Sequence, residues 1–245
     1  MNNSKKDILI KLKKDSNHYK LNLELGLLYV KEKNYIEAKK IFEKLIYVNE
    51  KKYEGYLNLS NIYMLLNKHE DTELILKKFI KKNKYNKNII SSLGSHYYNI
   101  KDFKKLSQLV NKYIDLEINY LLIFFKSSVY ENKQKITKQK EYLIKTIKYN
   151  NNFWPAYEKL FNLYEKTNKI DEFNKLIFTA KKLFHNNIKI HYYSALCLFR
   201  KNEINKSLEE LESNKIEKAF LNFKNSTYLV NYYDLKSKIY LKRNN

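Results

Sequence analysis

The sequence LNLELGLLYVKEKNYIEAKKIFEKL, residues 21–45, contains a pattern that recurs along the whole chain. A large residue at its ninth position returns after 34, 34, 33, 34, 34 and finally 42 residues, and we call these the ladder positions: Tyr29, Tyr63, Tyr97, Tyr130, Tyr164, Leu198 and Tyr240. Mostly small residues stand three places before them, at Gly26, Ser60, Gly94, Ser127, Phe161, Ala195 and Ser237. A fixed period of about 34 residues is typical of an array of helix–turn–helix units.

The period assigns the 245 residues to one elongated array instead of one or two globular domains. One proline and three glycines leave little to interrupt the helices, and Pro155 falls in a first helical turn, which tolerates its missing N–H. The helix that begins at Phe103 is predicted to end at Leu116. The predicted segments are an N-terminal helix at 4–14, repeats near 19–52, 53–86, 87–119, 120–153, 154–187 and 188–226, and a terminal helix at 227–241.

The small positions predict where helices cross. Two helices approach closely only where a side chain is minimal, so Gly26, Gly94 and Ala195 are expected at crossings filled by a neighbouring aromatic ring. The ladder aromatics are then core residues, although their regular spacing also allows a box on which a ligand stacks.

This layout resembles the tetratricopeptide repeat family from about Ser4 to Asn245. The family's large fourth-position residue and seventh-position leucine match Tyr56, Ile90, Tyr157, Leu25, Leu59, Leu93 and Leu160. The twentieth-position alanine survives as Ala38, while Glu50, Lys84 and His185 stand where the family has a closing proline. The resemblance implies an all-α fold, a right-handed superhelical solenoid of antiparallel helix pairs whose concave groove binds protein partners.

In that family the groove is formed by the first helix of each repeat. The corresponding residues here are Leu23, Leu27, Val30, Leu57, Asn61, Met64, Ser91, Ser95, Tyr98, Phe124, Ser128, Glu131, Glu158, Asn162, Glu165, Tyr192, Leu196 and Phe199. The order is apolar, polar, acidic and apolar again, which favours an extended peptide or a helix with apolar anchors and some basic character. Family members that clamp acidic chaperone tails need basic residues where this chain has Leu23, Asn88 and Ser92, so that partner is disfavoured.

The formal charge of +22 suggests a polyanion partner, but only Arg200 and Arg243 of the 48 basic residues are arginine. Arginine binds phosphates through paired hydrogen bonds and stacks on bases, so a surface that binds nucleic acid would be expected to contain more of it. The scarcity of arginine therefore favours a solvated lysine face on the convex side. Binding of RNA or anionic lipid there remains an alternative that salt dependence would reveal. The lysines fall mainly on second helices, at Lys39, Lys40, Lys44, Lys77, Lys78, Lys81, Lys82, Lys104, Lys105, Lys145, Lys148, Lys181 and Lys182.

The sequence predicts neither an enzyme nor a metal or cofactor site. It lacks a glycine-rich phosphate loop, and Cys197 lies in an apolar helix without a sequence partner. The histidines are scattered, at His18, His69, His96, His185 and His191. A single cysteine and the absence of a long apolar segment favour a cytoplasmic protein.

A competing prediction is a recruitment module of a larger enzyme. Residues 151–160 and 231–241 resemble the arrays that precede a sulfotransferase domain in some bacterial proteins. Because the chain has no phosphosulfate-binding loop, such activity would require a domain beyond Asn245.

The terminal helix carries apolar residues around much of its circumference. Tyr232, Tyr233 and Tyr240 are expected to form an exposed interaction patch, since a terminal repeat normally turns a polar face to water. We expect a second copy of the chain, another protein or further polypeptide to cover it. It would follow an unusually long connection at 212–226.

Overall fold

A computed structural model describes residues 3–83, 85–185, 187–212 and 227–243. All regular structure in these ranges is α-helical. The helices are α1 Asn3–Lys14, α2 Tyr19–Lys31, α3 Tyr35–Val48, α4 Tyr53–Leu65, α5 His69–Lys82, α6 Lys87–Asn99, α7 Phe103–Tyr113, α8 Tyr120–Asn132, α9 Ile136–Tyr149, α10 Trp154–Lys166, α11 Ile170–Leu183, α12 Lys189–Arg200, α13 Ile204–Glu212 and α14 Thr227–Arg243.

The helices form two compact units, Met1–Val129 and Tyr130–Asn245. In each unit, helices that follow one another in sequence pack together in pairs, as in a solenoid. No helix in the described ranges is long and apolar enough to cross a membrane.

The first helix of every repeat ends in the same turn. Backbone carbonyls at ladder positions accept a hydrogen bond from the N–H five residues later, with N–O distances of 2.9 Å at Tyr29, 2.8 Å at Tyr63 and 2.9 Å at Tyr97. The residue before each donor has a positive φ of 53° to 65°. This is the Schellman motif, which satisfies the last carbonyls of a helix. The positive-φ residues repeat the period of the sequence: Lys33, Asn67, Lys101, Gln134, Asn168 and Asn202.

The predicted glycine crossings are confirmed. A Cβ atom at Gly26 would lie 2.5 Å from Cε1 of Phe42, and one at Gly94 would lie 2.7 Å from Cε2 of Phe125. Both rings are buried, so an aromatic side chain fills each crossing. Ala195 is also fully buried, and its carbonyl accepts a hydrogen bond from the Ser207 hydroxyl at 2.7 Å.

Helix α7 is shorter than predicted. It ends at Tyr113 instead of Leu116, and the Ile114 N–H closes it on the Val110 carbonyl at 2.9 Å. The buried apolar side chains of α7 are complete at Tyr113, whereas Leu116 and Ile118 are exposed. The connection to α8 is therefore long enough to reach the first-helix side of the unit.

The expected exposed patch on α14 is wrong for one of its three tyrosines. Tyr232 is fully buried with Leu235 and Ile239, because α12 and α13 pack against this side of α14. The Tyr232 hydroxyl donates a hydrogen bond to the Leu211 carbonyl at 3.1 Å. Tyr233 and Tyr240 remain exposed. Of the predicted long connection at 212–226, Glu212 is the last residue of α13, and residues 213–226 lie outside the described ranges.

Candidate functional site

First helices of the first unit surround a cavity of about 480 Å³, which we call the first-helix cavity. It is formed by α4, α6, the start of α8 and the connection before α8. Five residues predicted for the groove are among its walls: Leu57, Asn61, Met64, Ser91 and Ser95. The others are Lys87, Asn88, Ser92, Ile118, Asn119, Tyr120 and Leu121.

A hydrogen-bonded pair fixes one wall of the first-helix cavity. The Asn119 side-chain amide donates to the Ser91 hydroxyl at 2.8 Å. Its oxygen accepts from the Leu121 N–H at 3.0 Å, so the same side chain caps α8. Because Asn119 is buried and held at both ends, this wall is preorganised.

Ser92 presents an unsatisfied polar atom beside this cavity. The residue is only 8% exposed, and its Oγ has no hydrogen-bond partner within the described residues. A buried polar group without a partner costs about 1–3 kcal/mol. A ligand that hydrogen-bonds this hydroxyl would recover part of that free energy.

The first-helix cavity carries little net charge. Lys87 is its one charged wall residue within the described ranges, and its Nζ lies 3.2 Å from Glu117 Oε1. The remaining polar groups are amides and hydroxyls beside the apolar Leu57, Met64 and Leu121. This chemistry suits a neutral ligand that combines amide groups with apolar side chains.

The structure corrects the predicted groove at α8. Phe124 and Ser128 are buried, and the Phe124 ring lies 5.8 Å from that of Tyr98 between centroids. The apolar residues of α8 pack on nearly all sides of the helix, so these two side chains stabilise the core and face no groove. Tyr98 itself is half-buried, and Leu27 on α2 remains exposed.

In the second unit the predicted acidic segment is charge-balanced. Each groove glutamate pairs with a basic residue from the next first helix. The Asn162 side-chain oxygen accepts from the Tyr193 hydroxyl at 3.0 Å. Tyr192 is buried, so little of its side chain is open to a ligand. The three ion pairs are Glu131–Lys159, Glu158–Lys189 and Glu165–Arg200.

Several lysines have partners within the described residues, including some that the sequence analysis assigned to the lysine face. Lys39 Nζ lies 5.7 Å from the Tyr63 ring centroid, and Lys140 Nζ lies 5.1 Å from that of Tyr164, in both cases 24 residues before the ladder tyrosine. Lys5 stands at the same spacing before Tyr29, at 4.1 Å. These cation–π contacts use the ladder aromatics internally. Further lysines form ion pairs, in Lys40–Glu37, Lys77–Glu73, Lys82–Glu50 and Lys181–Glu210.

Glu73 stands 24 residues before Tyr97, at the spacing where Lys39 precedes Tyr63. Burial disfavours its charged form, but hydrogen bonds from Lys77, Lys105 and Tyr97 outweigh burial and lower the pKa of Glu73 to about 2. Burial, together with the Glu73 charge, raises the pKa of Tyr97. Glu73 thus connects α5, α6 and α7 through an ionised carboxylate.

The described residues contain no group of three or more His, Cys, Asp or Glu that could hold a metal ion. Burial raises the pKa of the Cys197 thiol to about 11, which disfavours the reactive thiolate. Burial also lowers the pKa of His96, with His69 as a second cause.

Sequence reasoning found five of the twelve wall residues of the first-helix cavity, all on α4 and α6, and missed the other seven, among them Ile118 and Asn119. Both lie in the connection that α7 was predicted to occupy in part. One available signal was the position of Asn119 directly before Tyr120, since asparagine is a preferred helix cap.

No protein-family model and no curated protein sequence matches the chain. Solved structures match its backbone. PilF of Pseudomonas aeruginosa gives a TM-score of 0.72 at 12% identity and covers 90% of this chain and 97% of its own. A chain of the APC/C hetero-tetramer Cut9–Hcn1 gives 0.71 at 14% identity, covering 97% of this chain and 46% of its own.

A third structure is a tetratricopeptide repeat protein from Parabacteroides merdae. Its TM-score is 0.64 at 13% identity, and the match covers 94% of this chain and 90% of that protein. At identities of 12–14% the similarity concerns the fold alone. A repeat fold is consistent with the recurring Schellman turns and glycine crossings described above. This chain has the tetratricopeptide repeat fold.

Proposed function

We propose that this chain is a non-catalytic scaffold that binds an extended peptide or a helix of a protein partner along its first helices. The observation that carries the proposal is the first-helix cavity, in which Leu57, Asn61, Met64, Ser91 and Ser95 come together. The cavity would hold one anchoring side chain of the partner.

The composition of the cavity supports a peptide. Amides and hydroxyls such as Asn61, Asn88 and Ser95 can bond the backbone of an extended segment, while Leu57 and Met64 can cover an apolar side chain. The unsatisfied Ser92 hydroxyl offers a further hydrogen bond. Since the nearby charge of Lys87 is paired with Glu117, an acidic ligand gains little there.

One structural neighbour is found with a partner. Cut9 is present with Hcn1 in a hetero-tetramer of the APC/C. That protein thus assembles with another protein. We propose that the present chain also binds a protein partner. A cytoplasmic location, self-association through Tyr233 and Tyr240, and a role as the recruitment module of a larger enzyme such as a sulfotransferase remain predictions.

The lysine face is the alternative binding surface. The net charge of +22 and the exposed Lys78 and Lys81 favour attraction of RNA or anionic lipid. The ion pairs and cation–π contacts of other second-helix lysines reduce that attraction, so we place the partner on the first helices.

The test begins with a random peptide library selected on the immobilised full chain. Fluorescence polarisation then compares the affinity of a selected peptide for the parent, for Asn61→Ala with Met64→Ala, and for Glu70→Ala with Leu74→Ala. The last pair is a matched control on the exposed side of α5. We expect the first pair to weaken binding tenfold or more and the control pair to leave it within twofold.

The lysine face is tested with Lys77, Lys78, Lys81 and Lys82 all changed to Glu. Binding that survives this change and varies little between low and moderate salt supports the proposal. Binding that collapses with these changes or with salt, and ignores Asn61 and Met64, would show that the chain binds polyanions instead.

A further inference from the structure

A second cavity of about 620 Å³ in the first unit contains two histidines, and we call it the histidine cavity. It lies where α4 turns into α5 and where α6 ends. The first-helix cavity shares one residue with it, Met64. Its wall residues are Met64, Asn67, His69, His96, Asn99 and Ile100.

His96 is a wall residue of the histidine cavity and has an unused ring nitrogen. The residue is 1% exposed, and its Nε2 atom has no hydrogen-bond partner in the part of the chain that the structure describes. Buried polar atoms are nearly always satisfied in native proteins, so an orphaned ring nitrogen calls for a bound group. A neutral imidazole nitrogen is a strong ligand for a transition-metal ion.

His69 stands opposite His96. It is the first residue of α5 and is exposed, and the two ring centroids lie 5.7 Å apart with 40° between the ring planes. Metal–nitrogen bonds of about 2.0–2.1 Å place two imidazoles on one ion at a centroid separation of about 5–6 Å. The observed separation therefore fits a shared ion.

The charges around His96 nearly cancel. Glu73 of α5 and Asp102 of the turn after α6 favour a positive charge at the His96 ring, whereas Lys105 of α7 and a protonated His69 oppose it. Lys77 also bonds Glu73, so the surroundings are close to neutral before an ion binds. The ion's charge is therefore not strongly opposed.

We propose that His69 and His96 form a binding site for a transition-metal ion that prefers imidazole, with Zn²⁺ and Cu²⁺ as the best candidates. This inference goes beyond the proposed function. The protein supplies two imidazoles, and the amide oxygens of Asn67 and Asn99, the Met64 thioether and water are the available weaker ligands. The site is an open one, unlike the closed four-ligand site of a structural zinc protein.

Isothermal titration of the full chain with Zn²⁺ tests the site. We expect one saturable ion per chain, an affinity at least tenfold lower for His69→Asn, and no change for His185→Asn, which also replaces an exposed histidine. His69 is exposed, so its replacement should leave the fold intact; the circular dichroism spectrum checks this.

A second readout counts the ligands directly. Electron paramagnetic resonance of the chain with one equivalent of Cu²⁺ should show hyperfine coupling to two imidazole nitrogens, reduced to one in His69→Asn and in His96→Gln. Absence of saturable Zn²⁺ binding, or binding that His69→Asn leaves unchanged, would overturn the proposal. Peptide affinity measured without metal is independent of this result, so the two proposals fail separately.

Discussion

Gly26 of α2 faces the Phe42 ring of α3 so closely that a Cβ atom at position 26 would lie 2.5 Å from Cε1 of Phe42. Real Cβ atoms do not approach another heavy atom to that distance, so the missing side chain sets the separation of this helix pair. Gly94 on α6 likewise faces the Phe125 ring of α8. Like Gly26, it stands three residues before a ladder tyrosine, here Tyr97.

Replacing Gly26 or Gly94 by alanine should therefore destabilise the fold by about 1–3 kcal/mol through overpacking. Helix propensity alone predicts the opposite sign, a gain of about 1 kcal/mol. Urea unfolding of each variant measures the difference, with Lys20→Ala on the exposed side of α2 as the control. A stabilised Gly26→Ala would show that Phe42 moves aside without cost.

The Schellman turns predict a stabilising change. Lys101 and Gln134 hold φ values of 58° and 55°, which cost about 1–2 kcal/mol for a residue with a Cβ atom. Lys101→Gly and Gln134→Gly should each raise the free energy of unfolding by about 0.5–1 kcal/mol after the entropic cost of glycine.

Thermal denaturation measures the stability gain expected for Lys101→Gly and Gln134→Gly. Two other glycine variants serve as controls. Asn67→Gly should be nearly neutral because asparagine already tolerates a positive φ. Gln108→Gly at an exposed position in the middle of α7 should lose about 1 kcal/mol. Equal losses at positions 101 and 108 would contradict the assignment of the turn.

Glu73 should make the first unit sensitive to acid. Its folded-state pKa of about 2 lies below the ordinary value of 4.5, so its stabilisation is present above pH 4.5 and is lost as the pH falls towards 2. The parent should therefore lose its stability advantage over Glu73→Gln across this window. The urea unfolding midpoints of parent and variant at pH 6, 4 and 3 measure this loss. Glu24→Gln at an exposed site is the control. A difference between parent and Glu73→Gln that stays constant with pH would contradict the proposed Glu73 hydrogen-bond network.

Tyr232 should stabilise the end of the second unit. Tyr232→Phe leaves the buried Leu211 carbonyl without the hydroxyl that now donates to it, at a cost of about 1–2 kcal/mol. Tyr47→Phe is the matched control, because that side chain is exposed on α3. Chemical denaturation compares the two, and an equal effect would place the Tyr232 hydroxyl in water.

The sequence was informative wherever the fold repeats. Gly26, the ladder tyrosines and the turn residues follow from a period that tertiary packing imposes on every unit, so their positions could be predicted. Pro155 likewise lies in the first turn of α10 as expected. These features depend on packing that is similar in every repeat.

The groove was less predictable because it depends on neighbours. Phe124 has a groove position in the family pattern, yet the apolar surroundings of α8 bury it. The sequence alone indicates an acidic surface at Glu158 and Glu165. In the structure each glutamate forms an ion pair with a residue of the next repeat, Lys189 or Arg200. Asn119 enters the site through its hydrogen bond to Ser91, a contact across 28 residues that the sequence alone does not show.

The central claim, that a peptide partner occupies the first-helix cavity, is tested most directly by the methyl resonance of Met64. The chain has two methionines, and Met64 is the one in the cavity wall, so selective ¹³C-methyl labelling gives a simple spectrum. The account predicts that the Met64 methyl resonance shifts on titration with the selected peptide, and that this shift gives the same dissociation constant as fluorescence polarisation. Tight binding of the peptide with an unchanged Met64 resonance would contradict it.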